Sequence, residues 1–326
     1  MEPQLPQDRN QMLADVAEMY YLQQLTQAAI AERIGLTRSM ISRLLDEARR
    51  KGIIEFRVHR PLNFDKQLSD RIQQRFGLHA AHVVQLTDTD PARVLSQVGS
   101  GAAAVLRSLV HADMVIGMAW GTFIRATLDS FEVDRPLPNV RVVQLVGAGD
   151  SRIRDYDGHA LVSRMAQLTG GEAFYLNAPI MVDDASAAES VLESKAIRET
   201  IELARGSDLA LLGMGSTVPE HSTFYHSGYF SLKDLDKLRR GGAIGNVCGM
   251  HFTLEGQLTS LDFQSRLVTI SADDLLAIKL RVGVAGGPGK VEPILGALRG
   301  GFVNVLVTDN YAATQLLELA AQSSSE

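Results

Sequence analysis

The sequence has one cysteine, one tryptophan and no long apolar run, and each scarcity excludes something. A single thiol, Cys248, rules out an intrachain disulfide and leaves too few sulfur ligands for a cysteine-rich metal site. It lies in Ile244-Gly245-Asn246-Val247-Cys248-Gly249 and is expected to be a buried structural thiol. No stretch approaches the ~20 apolar residues that span a bilayer. Residues 1–10 are polar, with neither the basic start nor the apolar stretch of a signal peptide. A cytoplasmic protein without a membrane partner is therefore expected. Solenoid-type repeats are absent, and the only compositionally biased stretch is the serine-rich tail at 323–325. With 326 residues, 45% of them hydrophobic, the chain is long enough for two domains and a sizeable core.

A net charge of −6 would by itself argue against a nucleic-acid partner, but its distribution reverses the argument. Between Arg33 and Arg60 eight basic residues face three acids, a local +5, whereas residues 61–326 carry −7. Phosphate attraction is thus confined to one end of an acidic chain.

That end reads as three helices. Leu13, Val16, Ala17, Tyr20 and Tyr21 recur at helical spacing. Thr26 can cap a short helix from Gln27 to Ile34, and Gly35 stands where a helix end needs positive φ. Leu36 plugs the turn, and Thr37 can cap a helix from Arg38 to about Lys51 with Ile41, Leu44, Leu45 and Ala48 inward. Residues 53–60 alternate as a wing strand should. Two helices joined by a glycine-containing turn predict a winged helix-turn-helix over residues 1–60. Thr37, Arg38, Ser39, Met40, Ser42 and Arg43 should then enter the major groove of duplex DNA. Gln27, Arg49, Arg50 and Lys51 are suited to phosphates.

Residues 61–326 predict an α/β domain with a mainly parallel sheet, because strands alternate with helices. The strands are expected at 81–85, 113–117, 140–146, 173–176, 209–213, 267–270, 281–284 and 303–308. The helices are expected at 63–76, 92–110, 158–168, 187–204 and 293–299, with one more from Phe123. Ligands of such sheets bind at glycine-rich loops beyond the strand ends. Three loops qualify: Gly117-Met118-Ala119-Trp120-Gly121-Thr122, Gly213-Met214-Gly215-Ser216-Thr217 and Gly286-Gly287-Pro288-Gly289-Lys290. The last adds a full positive charge to helix-start amides, which fits an anion. Trp120 is equally suited to packing on a ligand or in the core. Val146-Gly147-Ala148-Gly149 fails as a dinucleotide fingerprint, since position 152 is Arg.

Signs of catalysis are sparse. His221 and His226 read as solvated or locally hydrogen-bonded, while Asp183-Asp184 and Asp273-Asp274 read as helix starts. No metal or cofactor is expected, and no acid/base pair stands out.

The N-terminal run Tyr20-Tyr21-Leu22, Leu25-Thr26-Gln27-Ala28-Ala29-Ile30-Ala31, Gly35-Leu36-Thr37-Arg38 and Ile41-Ser42-Arg43-Leu44-Leu45, then Gly52-Ile53-Ile54, resembles the SorC/DeoR-type bacterial sugar-responsive regulators. The likeness continues through Trp120-Gly121-Thr122, Val143-Gln144-Leu145-Val146-Gly147, Leu176-Asn177-Ala178-Pro179, Ser227-Gly228-Tyr229, Gly242-Ala243-Ile244-Gly245, Val284-Ala285-Gly286-Gly287 and Leu306-Val307-Thr308-Asp309, nearly the whole chain in order. The resemblance implies an effector domain folded like sugar-phosphate isomerases and deaminases, without their catalysis, that senses a phosphorylated sugar. It also implies self-association, typically as tetramers. By the same resemblance residues 117–122 and Lys290 would hold the phosphate, and Gln144 and groups near Asp262 the sugar hydroxyls. Gly147, Gly213, Gly215 and Ser216 complete the expected ligand site. Two departures matter: Gly245-Asn246-Val247 replaces a Gly-Asp-Ile pattern, and His251-Phe252-Thr253 a Phe-Phe-Asp-like one. Each removes a carboxylate near the expected pocket.

The expectation is thus a regulator of a carbohydrate-catabolism operon. Its partners would be a DNA operator, a small phosphorylated sugar and further copies of itself. The rival is a sugar-phosphate isomerase or deaminase fused to a DNA-binding head; a purely architectural DNA binder would lack any ligand response.

Overall fold

The computed structural model describes residues 9–54, 62–149, 156–260 and 262–322. The chain packs into two compact units, Met1–Pro61 and Leu62–Glu326.

In the first unit three helices, α1 (Arg9–Tyr21), α2 (Gln27–Ile34) and α3 (Arg38–Arg50), close around Leu13, Val16, Ile30, Ile41, Leu44, Leu45 and Ala48. Local chemistry sets the boundaries. Thr26 Oγ1 accepts from the Ala29 amide and Thr37 Oγ1 from the Met40 amide, so each helix of the pair begins on a hydroxyl cap. Between them Gly35 takes φ +73°, the left-handed conformation that ends α2 and turns the chain into α3. Ile53 and Ile54 are half-buried against this core. The expected wing strand lies, from residue 55 to 60, outside the described residues.

The second unit is built on a seven-stranded, wholly parallel sheet. Its strands are β1 (Ala80–Val84), β2 (Val115–Met118), β3 (Arg141–Gln144), β4 (Glu172–Phe174), β5 (Leu209–Gly213), β9 (Leu280–Val284) and β10 (Val305–Asp309). A second, antiparallel sheet is made of β6 (Gly215–Ser216), β7 (Gly245–Val247) and β8 (Met250–Phe252). The central strands of the large sheet are buried on both faces, β2 and β10 along their entire length, which is why they read as largely apolar runs. Their order is β1-β10-β9-β5-β2-β3-β4. From β2 the chain crosses outward to β3, whereas from β5 it returns on the other side to β9, so the connections diverge between β2 and β5.

Several elements differ from the sequence reading for identifiable reasons. The helix expected from residue 63 begins at Lys66, because Asn63 and Asp65 exchange backbone hydrogen bonds with Gln85 and Val83 and cover the edge of β1. The helix expected over 187–204 is two, Ala185–Glu193 and Lys195–Arg205, broken where Ser194 adopts extended φ −61°, ψ 139°. Segment 267–270 is not a strand of the sheet. It is held by isolated bridges, Leu267 to Met181 and Thr269 to Val146. The antiparallel sheet and the helices Leu232–Arg240 and Asn310–Gln322 have no counterpart in the sequence reading. Among the described residues no helix is long and apolar enough to cross a membrane.

Leu211, in the middle of β5, is fully buried. Leu211→Ala should cost the large unit ~2–5 kcal/mol. Urea unfolding followed by the fluorescence of Trp120, which lies in that unit, reads this loss directly.

Candidate functional site

The outward face of α3 carries most of the expected DNA-reading residues. Thr37, Arg38, Ser39, Met40 and Arg43 are exposed and Ser42 is half-buried. Met40 is 44% exposed, although its side chain is apolar. Arg38 and Arg43 form no ion pair among the described residues, so their guanidinium groups are available. The cations expected at phosphates differ. Arg49 Nη2 donates to Tyr21 Oη at 2.9 Å. Lys51 Nζ lies 3.2 Å from Glu47 Oε1 and donates to Asn10 Oδ1 at 3.3 Å. Arg9 Nη2 meets the other oxygen of Glu47 at 2.7 Å. Hydrogen bonds from Arg9 and then Lys51 pull the Glu47 carboxyl down to about 2. Gln27, the first residue of α2, is half-buried.

In the large unit a cleft opens where the chain diverges beyond β2 and β5. After β2 come Ala119, Trp120, Gly121, Thr122 and Phe123; after β5, Gly213, Met214 and Gly215. The short helix Thr223–His226 adds Thr223 and Phe224, the β7–β8 hairpin adds Asn246, Cys248 and Gly249, and Lys290 enters from beyond β9. Gly215 makes room for Asn246: a Cβ there would collide with its side-chain amide.

The helix Thr122–Ser130 begins at this cleft without a side-chain cap. Its first amides have no intrahelical acceptor and carry the positive end of the helix dipole. Lys290 Nζ donates to the carbonyls of Met214 at 3.1 Å and His221 at 3.3 Å, which aims the ammonium at the second glycine loop. Burial pulls its pKa from the usual lysine range down to about 8. No carboxylate lines the cleft among the described residues. A helix start, a lysine and no acid make a site for an anion.

Trp120 belongs to both core and cleft. It stacks parallel to Tyr156 at 6.4 Å and meets Phe224 edge-on at 5.2 Å while lining the opening. Burial pushes the thiol of Cys248 up to about 12, so it stays protonated although it borders the cleft. His251 packs beside the stacked pair Phe224 and Phe230, and burial lowers its pKa to about 4; it is neutral at physiological pH.

Other expected ligand residues stand elsewhere. Gly117 is inside β2, its Cα directed at Leu145 and Ser207. Gln144 is fully buried in β3 and donates its amide to the Val146 carbonyl at 2.7 Å. Gly147 is pressed against the backbone of Pro179. Ser216 is buried and accepts from the Val218 amide at 3.2 Å. Asp262 is exposed on the short helix Asp262–Ser265, away from the cleft lining. None of these five lines the cleft, because alternate strand positions and intervening backbone turn them away. Conversely, Phe224, Cys248 and Gly249 line it without a local signal, since the chain between β5 and β9 delivers them from a distance. Asn246 had one hint, the missing carboxylate of the Gly-Asp-Ile pattern.

The histidines read as non-catalytic are locally engaged: His226 Nε2 lies 3.2 Å from the Glu220 carbonyl, and His221 is exposed beside Gly289. Asp184 caps the helix it precedes, and Asp274 accepts from Ser271 and Arg205.

Comparison with known proteins places both units. A family model described as "Putative sugar-binding domain" matches residues 60–318, and one described as "Sigma-70, region 4" matches residues 13–51. The chain is 28% identical to the deoxyribonucleoside regulator of Bacillus subtilis over 96% of its own length and 99% of that protein. It is 30% identical to the transcriptional regulator LsrR of Klebsiella pneumoniae, covering 95% of this chain and 94% of that one. The crystal structure of the full-length sorbitol operon regulator SorC from Klebsiella pneumoniae superposes with a TM-score of 0.72 at 26% identity, over 94% of this chain and 99% of that one. The relatives are transcriptional regulators, not enzymes. The chain belongs to the SorC family of transcriptional regulators, with a helix-turn-helix unit that binds DNA and a sugar-binding domain that receives a sugar-type effector.

Proposed function

We propose that this regulator controls a carbohydrate-catabolism operon in response to a phosphorylated sugar held in the cleft beyond β2 and β5. The observation that carries the reading is the conjunction of Lys290 with the uncapped start of the helix Thr122–Ser130 in a cleft lined by no acid among the described residues. The phosphate would sit between that helix start and Lys290, with Trp120, Gly121, Thr122, Gly213, Gly215 and Asn246 around the ligand. Thr37, Arg38, Ser39, Met40, Ser42 and Arg43 would read bases, while Gln27, Arg49, Arg50 and Lys51 would contact phosphates. The protein would act in the cytoplasm as a homo-oligomer, dimer or tetramer. A helix-turn-helix gains sequence discrimination by placing two heads on half-sites a helical turn or a multiple of it apart. The effector would act by binding the two arrangements of heads unequally.

A panel of sugar phosphates and their unphosphorylated parents should separate in a thermal-shift experiment, one phosphate ester raising Tm. Equal response to ester and parent would sink the phosphate assignment.

With the free ammonium near pH 8, an anion that binds its protonated form should lose affinity as pH rises through about 8. Calorimetry of the effector at pH 6.5, 8 and 9.5 tests this. Lys290→Ala should flatten the profile and abolish the effect of ligand on DNA binding, leaving ligand-free DNA binding intact.

Arg43→Ala should weaken operator binding by ~1–3 kcal/mol. Unchanged affinity in a mobility-shift titration would remove Arg43 from the base readers.

A further inference from the structure

Helix α3 carries two adjacent acids on a unit that binds a polyanion, and the structure treats them differently. Glu47 is clasped by Arg9 and Lys51. Asp46 is exposed and has neither a hydrogen bond nor a close ion pair among the described residues, although its charge acts on Arg49 three residues on. Arg50 follows it by four residues in the acid-first order that favours pairing on a helix, yet the two are not joined. At ~100° per residue Ser39, Arg43, Asp46 and Arg50 fall on one stripe. That stripe is diametrically opposite the buried Ile41, Leu44, Leu45 and Ala48, so the three-helix core makes no use of it.

A carboxylate on this stripe with no hydrogen-bonded partner would be repelled wherever it met phosphate. Against base edges it has a complementary partner. In the major groove the cytosine N4 amino group is a donor that a carboxylate can accept from, whereas the adenine amine adjoins the N7 acceptor, which opposes a second negative group. We propose that Asp46 is a specificity-determining residue of the DNA-reading face, accepting a hydrogen bond from the N4 amino group of a cytosine. The inference rests on the reading of α3 as the helix that enters the groove. Side chains three apart on a helix are ~5–6 Å from one another at Cβ, and base pairs rise ~3.4 Å per step. The C·G pair should therefore lie within about two steps of the guanine gripped by Arg43.

Selection of binding sites from a random duplex library tests this, using the full chain with its native residues, Asp46→Ala, Asp46→Asn and Arg43→Ala. Exposure of Asp46 predicts equal thermal melts for its two variants and the unsubstituted protein. The unsubstituted protein should enrich a motif with a fixed cytosine. Asp46→Ala should lose preference at that position and keep the others. Asp46→Asn should move it to adenine, whose N6 and N7 suit an amide. In competition binding, replacing the cytosine should cost the unsubstituted protein about 5- to 150-fold, the equivalent of ~1–3 kcal/mol, and the alanine variant almost nothing. An identical motif from the unsubstituted protein and both Asp46 variants overturns the proposal. So does a uniform tightening of Asp46→Ala on every sequence, which would make Asp46 only a brake on phosphate attraction. Failure of the unsubstituted protein to enrich any motif would overturn the reading of α3 itself, and loss at a different position in Arg43→Ala keeps the two outcomes apart.

Discussion

The parallel pairing of β2 with β5 is the constraint on which the candidate cleft depends. Gly117 pairs with Ala210 and Met118 with Leu211, and both strands are buried in the middle of the sheet. The pairing runs one residue past the strand, where the Ala119 amide donates to the Leu211 carbonyl at 3.0 Å. Beyond that point the chain must part, toward β3 on one side and β9 on the other. A crevice at the carboxyl ends of two strands follows from that divergence, as in other open α/β sheets. Glycines, a helix start and Trp120 occupy its two lips. The chain between β5 and β9 folds its small antiparallel sheet over the third side, bringing Asn246 and Cys248 to the opening.

Charge in this crevice is set by exclusion as much as by attraction. Among the described residues Lys290 is its one cationic side chain, and no acid offsets it. Partial burial makes the charged ammonium costly, which is the physical reason its pKa falls. Two backbone carbonyls keep the amine directed at the glycine loop. An anion arriving there would meet a pre-aimed cationic donor and favour its protonated form. The aromatic contacts of Trp120 with Tyr156 and Phe224 hold the opposite lip and couple it to the hydrophobic core.

The helical unit shows the same division between groups consumed by the fold and groups left over. Arg9, Glu47 and Lys51 join the start of α1 to the end of α3, and Tyr21 engages Arg49. These charges serve the packing of three short helices whose apolar core is small. At the other end of α3, Arg38 and Arg43 project without partners, on the turns nearest its capped start. The cations near the start of α3 are thus left unpaired, whereas Arg49 and Lys51 near its end are also engaged with neighbouring side chains.

By itself the sequence determined the elements whose signals are local. The hydroxyl caps at Thr26 and Thr37, the left-handed Gly35 and the apolar stripes placed all three N-terminal helices within a residue or two. The strands of the parallel sheet were legible as runs of buried apolar residues, and the charge segregation was visible before any fold. Strands of two or three residues such as β6, β7 and β8 carry no periodicity to read, and an edge cover such as residues 63–65 is defined only by the strand it pairs with. Trp120, Gly121, Thr122 and Lys290 were singled out because glycine loops before helix starts have a sequence signature. Gln144 and Gly147 had the right neighbours in the chain but the wrong direction in space. Tertiary structure alone decided which groups meet, because the cleft is assembled from segments as far apart as Trp120 and Lys290, and sequence spacing holds no information about side chains brought together by strand order.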